Sequence, residues 1–203
     1  MALFVSCEAT ASKSYITRRE KQMRTASNLK ILRMVLAALF LALAYVMPFL
    51  TGQIPEIGSA LLPMHIPVLL AGFVIGWRWG LAVGLSAPLL RSLTLGMPPL
   101  FPTAVCMAAE LAVYGAIAGL MHGILPKKKV YIYLSLIISM IAGRIVWGGM
   151  TFLCLNLGGN AFTFAAFIAG AVTNAIPGII IQIIIIPILV MLLEDKIHAN
   201  KKI

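Results

Sequence analysis

From about residue 30 onward the chain is a succession of long apolar stretches, separated by short polar or Gly/Pro-rich connections. A helix that crosses a bilayer needs about 20 mostly apolar residues, and the pattern predicts six such segments. The first runs from Leu32 to Leu50, with Pro48 near its end and the turn-rich stretch from Thr51 to Ser59 beyond it. The second runs from Leu61 to Ile75 and is short, with Pro63 and Pro67 near its start; the third, from Leu81 to Leu95, is broken by Pro88. The fourth covers Thr103 to Leu125, the fifth Val130 to Leu155, and the sixth Phe162 to Leu193, with Pro177 and Pro187 inside it. The expected fold is an all-α membrane protein, a six-transmembrane-helix bundle. A basic N-terminal arm (residues 1–30), a membrane domain (31–195) and a short tail (196–203) make up its expected organisation.

Composition supports this class. The 203 residues are 61% hydrophobic and 11% charged, with a mean hydropathy of +1.01. Soluble domains run nearer 45–50% apolar and about 25% charged, so one membrane bundle is expected. The net charge of +10 raises nucleic acid as a partner, but its distribution argues against that. The cations bracket apolar segments: an arm from Lys13 to Arg33, the run Lys127–Lys128–Lys129, and Lys196, Lys201 and Lys202 at the end. They form no groove with interleaved aromatics.

Orientation follows from the same residues. With the N-terminus inside, the arm, Arg78, the lysine run and the tail share one side. The opposite loops, around Gly52–Ala60, Gly96–Pro102 and Leu157–Asn160, contain no Lys or Arg. The positive-inside rule then gives N-in and C-in. The stretch from Met1 to Cys7 is too short for a secretory signal, and the polar basic arm is expected to touch anionic lipid. Met23 lies close to the first span, so residues 1–22 are read as an over-extended translation start. Cys7, Cys106 and Cys154 are odd in number and far apart, which fits buried thiols rather than a disulfide framework or a zinc site.

Arg91, Glu110 and Arg144 lie inside the apolar stretches. A charge near the bilayer centre costs at least ~2.5–3.5 kcal/mol on insertion scales, so such residues face a protein interior or a watered cavity. At ~1.5 Å per residue, Arg91 lies about 11 residues past the inner loop, Glu110 about 10 Å below the outer one, and Arg144 about 21 Å from the inner side. All three are expected in one outer layer. One reading is a buried ion pair that pins helices together. The other is a binding site, in which the surplus positive charge takes an anionic or carbonyl-rich ligand.

Further residues join that layer. His65 opens the second span, Tyr114 is one turn below Glu110, and Trp147 is three residues from Arg144. Asn174 precedes Pro177–Gly178, where the proline frees a backbone carbonyl. The connection from Gly96 to Pro102 reads either as a stiff apolar lid or as an ordinary tight loop. On the first span, Ala38-x-x-x-Ala42 is a small-residue pair that lets another helix come close.

Other chemistry is missing. No Gly-x-x-x-x-Gly-Lys-Ser/Thr loop, His-Glu-x-x-His or Gly-x-Ser-x-Gly occurs, and there is no His-rich or acidic metal cluster. Neither an enzyme nor a bound cofactor or metal is expected.

Taken together, these segments resemble the S-component of energy-coupling factor (ECF) vitamin transporters. The resemblance spans nearly all of residues 31–195. Leu62-Pro63-Met64-His65-Ile66-Pro67-Val68-Leu69-Leu70-Ala71-Gly72 carries it, with Gly76, Gly80 and Gly84 after it. It continues in Pro88-Leu89-Leu90-Arg91-Ser92, Gly96-Met97-Pro98-Pro99, Glu110-Leu111-Ala112-Val113-Tyr114-Gly115, Gly143-Arg144-Ile145-Val146-Trp147-Gly148 and Thr173-Asn174-Ala175-Ile176-Pro177-Gly178.

The resemblance implies a substrate-capturing subunit in a bacterial plasma membrane, with a high-affinity pocket near the outer face. It implies partners as well: a transmembrane coupling subunit, docked on Ala38 and Ala42, and two ATPase subunits. The ligand would be delivered by toppling of the bundle. Arg91 and Arg144 favour a carboxylate or similarly anionic vitamin, and Tyr114 and Trp147 favour a ring. A niacin-like or pantothenate-like molecule satisfies the charge, while a pyrimidine, flavin or corrinoid stays open. Two rival readings remain: a proton-coupled secondary transporter with Glu110 and His65 as relay, against which no internal repeat is evident, and a membrane enzyme or scaffold.

Overall fold

The computed structural model describes residues 27–51, 60–126, 128–157, 163, 168–170 and 175–200. Cys7, most of the basic arm, Lys127 and Asn174 lie outside these. No strand occurs among the described residues. The chain divides into two units, Met1–Leu36 and Ala37–Ile203.

Helix α1, Ser27–Leu50, tightens into a 3-10 turn at Met47–Thr51. Four helices follow in the second unit: α2 (His65–Ile75), α3 (Trp77–Leu95), α4 (Val105–Ile124) and α5 (Lys129–Leu157). The last, α6, is Ile176–Asn200. A wide turn at Leu100–Ala104 leads into α4. Among the described residues four segments are long and apolar enough to cross a membrane: α1, Leu100–Ile124, Lys129–Leu155 and Ile176–Leu193.

The two others differ from the expected spans for separate reasons. At ~1.5 Å per residue, the 11 residues of α2 reach only about 16 Å, half of a ~30 Å hydrocarbon core. α3 has 19 residues but carries Arg78 and Arg91. It also starts four residues earlier than its apolar pattern indicates, because the corner between α2 and α3 is made by Gly76 alone. Its backbone at φ 97° is open to glycine at no steric cost. Arg78 therefore sits in the first turn of α3, with its guanidinium 5.2 Å from the centre of the Trp77 ring.

Glycines set the packing of α2, α3 and α4. A Cβ on Gly80 would lie 2.5 Å from the carbonyl oxygen of Gly115, and one on Gly119 2.5 Å from the Trp77 nitrogen. Gly72 and Gly84 meet the backbone of α4 as closely, at Gly115 and Leu111. Backbone touches backbone there, the arrangement that small residues allow between membrane helices. Outside this seam the polarity of a soluble protein is inverted. Leu39 and Leu43 of α1, Ile137, Ile141 and Ile145 of α5, and Ile180, Ile184 and Ile188 of α6 are exposed, whereas His65, Arg91, Glu110 and Gln182 are buried.

Candidate functional site

Glu110 lies five residues into α4, about 7.5 Å along its axis, and is 2% exposed. Arg144 of α5 reaches it, with Nη1 3.1 Å from Oε1. His65, the first residue of α2, places Nε2 3.5 Å from the same oxygen. The start of α2 is fixed by a turn in which the His65 N–H donates to the Leu62 carbonyl at 3.1 Å. Tyr114, one turn after Glu110, sets its ring edge-on to the His65 ring at 5.1 Å. Its hydroxyl is within hydrogen-bonding reach of both Glu110 and Arg144.

Local sequence explains why these groups fit. A Cβ on Gly143 would come within 2.9 Å of the Tyr114 ring. The residue before Arg144 is therefore the space that Tyr114 occupies, and Gly143-Arg144 acts as a unit: one residue makes room for the ring, the next reaches past it to the carboxylate.

The cluster is not saturated with hydrogen bonds. Both ring nitrogens of His65, Oε1 of Glu110, and Nε and Nη2 of Arg144 make no hydrogen bond of good geometry among the described residues. The same holds for both amide atoms of Gln182 on α6, which is fully buried. A buried donor or acceptor left without any partner costs about 1–3 kcal/mol. Among the described residues no group of three or more His, Cys, Asp or Glu side chains is placed to hold a metal.

Of the three intramembrane charges the sequence leads one to expect together, two meet. Arg91 is buried, but its Nη1 donates to the Tyr45 carbonyl at 2.8 Å and its guanidinium lies 4.9 Å from the centre of the Phe49 ring. Thr94, one turn on, pairs its hydroxyl with that of Tyr45 at 3.0 Å. Arg91 thus clamps the end of α1 and satisfies a carbonyl freed where the helix tightens. Position along a helix gives a residue's depth and leaves open the direction in which its side chain points.

Trp147, one turn after Arg144, is half-buried, and a Cβ on Gly170 would stand 2.6 Å from its ring. Asn174 lies outside the described residues. On α1, Ala38 and Ala42 are exposed while Ala37 and Ala44 are buried. Cys106, one turn before Glu110, interacts with Cys154 and Thr151 of α5, and both thiols are free and buried. Gln182 is a buried polar residue that the sequence reading did not single out. Its signal is visible in retrospect, as the one polar side chain in the run Ile179-Ile180-Ile181-Gln182-Ile183-Ile184-Ile185-Ile186.

Glu110, Arg144, His65, Tyr114 and Gln182 all fall within residues 32–190, the stretch matched by the family model for the ECF transporter, substrate-specific component. No curated protein and no solved structure matches the chain. With most of its length matched, and with charged and polar side chains gathered inside an apolar helical bundle, the chain belongs to the substrate-specific components of ECF transporters, which are transporter subunits and not enzymes.

Proposed function

We propose that the chain is the membrane-embedded, high-affinity capture subunit of an ATP-driven ECF importer for a vitamin or similar micronutrient, anionic or bearing a carboxylate. The observation that carries this reading is the Glu110–Arg144–His65 cluster: two buried ionisable groups and a half-buried guanidinium in an apolar bundle, with hydrogen-bonding atoms unpartnered among the described residues. A cluster that served only to pin helices would be selected for saturation, because every orphaned atom weakens it. Here the orphaned atoms are the binding surface. Tyr114 lies against the cluster, Trp147 follows Arg144 by one turn as a second aromatic for a ring, and Asn174 is assigned to the same outer layer by its place in the sequence. Arg91 closes that layer by holding the end of α1.

The bundle is read as six crossings with both termini inside, in the plasma membrane of a bacterium. α2 and α3 are joined at the Gly76 corner and embedded through the glycine seam. The exposed Ala38–Ala42 face of α1 is the docking surface for a transmembrane coupling subunit, which two ATPase subunits drive. The test is reconstitution into vesicles. The chain alone is expected to bind substrate without moving it, and uptake should appear only when the coupling and ATPase subunits and ATP are added. Uptake by the chain alone, driven by a proton gradient, would establish the secondary-transporter reading instead.

A further inference from the structure

Arg144 presents two different edges. Nη1 is held by Glu110 at 3.1 Å. Nε and Nη2, the side edge of the guanidinium, are buried and make no hydrogen bond among the described residues. Those two N–H groups point the same way and form the donor fork that grips a carboxylate through both oxygens. A lone carbonyl would use one of them and leave the other orphaned. The edge is therefore matched to a planar anion.

Charge then has to be counted. Glu110 and Arg144 already neutralise each other before any ligand arrives. A carboxylate added to that pair leaves one net negative charge in a low-dielectric interior, which is strongly disfavoured. His65 is the group placed to compensate. It is 1% exposed, has both ring nitrogens unpartnered, and stands 3.5 Å from Glu110 Oε1. Imidazole is also the side chain that changes charge between about pH 5 and 8.

Among the described residues only Arg144 and His65 pair with Glu110. From α4, His65 faces Glu110 and Tyr114; α5 reaches it through Arg144 on the same carboxylate. The cations of α3 are engaged elsewhere, Arg91 with Tyr45 and Phe49 and Arg78 with Trp77. On α6 the buried Gln182 is uncharged.

We infer that the site takes its ligand as a carboxylate on the Nε–Nη2 edge of Arg144, and that one proton from solvent is taken up on His65 as it binds. The inference rests on the capture reading above and names the substrate class and the coupling within it. The occupied site then holds Arg144 and the imidazolium against Glu110 and the ligand, and is neutral as a whole. By linkage, a proton gained on binding makes affinity fall as pH rises, by up to about tenfold per pH unit.

The test is titration calorimetry of the full chain in nanodiscs. Nicotinate, benzoate and pantothenate serve as acid probes, with nicotinamide and benzamide as neutral counterparts. Two buffers of different ionisation enthalpy then count the protons. At least one acid is expected to bind, its amide to bind at least about tenfold more weakly, and proton uptake to approach one per ligand. His65→Gln should remove the pH slope and keep the preference for acid over amide, while Arg144→Gln should remove that preference. The proton count on the unmodified chain needs no variant and stands even if one of these fails to fold. Equal binding of acid and amide, a proton count of zero, or a pH slope that survives His65→Gln overturns the inference. Binding of thiamine or riboflavin but of none of the acids overturns it too and leaves the capture reading standing; that reading fails separately, in the vesicle assay.

Discussion

Glu110 and Arg144 are each other's counter-charge, so removing both should cost less than the sum of removing each alone. Two unit charges 3.1 Å apart attract by about 5 kcal/mol at an effective dielectric of ~20. Most of that offsets the desolvation of the two groups, so the pair itself adds little net stability. Glu110→Gln keeps the shape of the side chain but leaves a guanidinium buried without an anion, for which the usual cost is about 3–5 kcal/mol. Arg144→Gln strands the carboxylate at the same cost. In a chain of this size that lowers the midpoint of thermal unfolding by roughly 6–20 °C. The double variant carries no charge and should recover at least about 2 kcal/mol of the summed loss, within the range of couplings measured for residues in contact. The assay is thermal unfolding in detergent with a thiol-reactive dye on a Cys7→Ser background. Cys106 and Cys154, 2% and 6% exposed, react only when the bundle opens. Strictly additive losses would refute the argument, because they would mean that the two charges do not act on each other.

Other consequences are simpler to state. Gly80→Ala puts a methyl group 2.5 Å from the Gly115 carbonyl oxygen and should cost about 1–3 kcal/mol in unfolding experiments, whereas Gly123→Ala and Gly149→Ala, with nothing within 4 Å of the new atom, should be close to neutral. Ala38→Trp and Ala42→Trp, on an exposed face of α1, should abolish co-purification with the coupling subunit while leaving stability within about 0.5 kcal/mol. Arg91→Ala removes the 2.8 Å bond to the Tyr45 carbonyl and should destabilise the fold by about 1.5–3 kcal/mol. Ligand affinity should fall less than about tenfold, short of what loss of a charge-assisted ligand contact gives. A loss of binding as complete as that of Arg144→Gln, with stability intact, would return Arg91 to the ligand site.

The apolar runs and their Gly/Pro punctuation made the helices legible in the sequence, because in lipid the backbone must satisfy its own hydrogen bonds and helices answer that need. The Glu110–Arg144 pair was legible for a related reason: charge inside apolar sequence is costly and demands a partner. What composition could not separate was a glycine that bends the chain from one that packs against it. Gly76, Gly80 and Gly84 read alike, yet only Gly76 turns a corner, and the others bring α3 onto α4. Nor does depth along a helix give direction around it, which is why Arg91 was expected beside Glu110 and is found on Tyr45. Gln182 went unseen because a single amide in an isoleucine run leaves only a faint mark in hydropathy.

The central claim is that this cluster holds a small-molecule ligand. Native mass spectrometry of gently purified protein tests it most directly, with Arg144→Gln, checked for folding, as the control. The account predicts an added vitamin-sized mass on the unmodified chain and its loss from the folded variant. An added mass that the variant keeps unchanged, or a chain that neither carries nor accepts any ligand while Arg144→Gln unfolds it, would contradict the account and leave Glu110 and Arg144 as a structural ion pair.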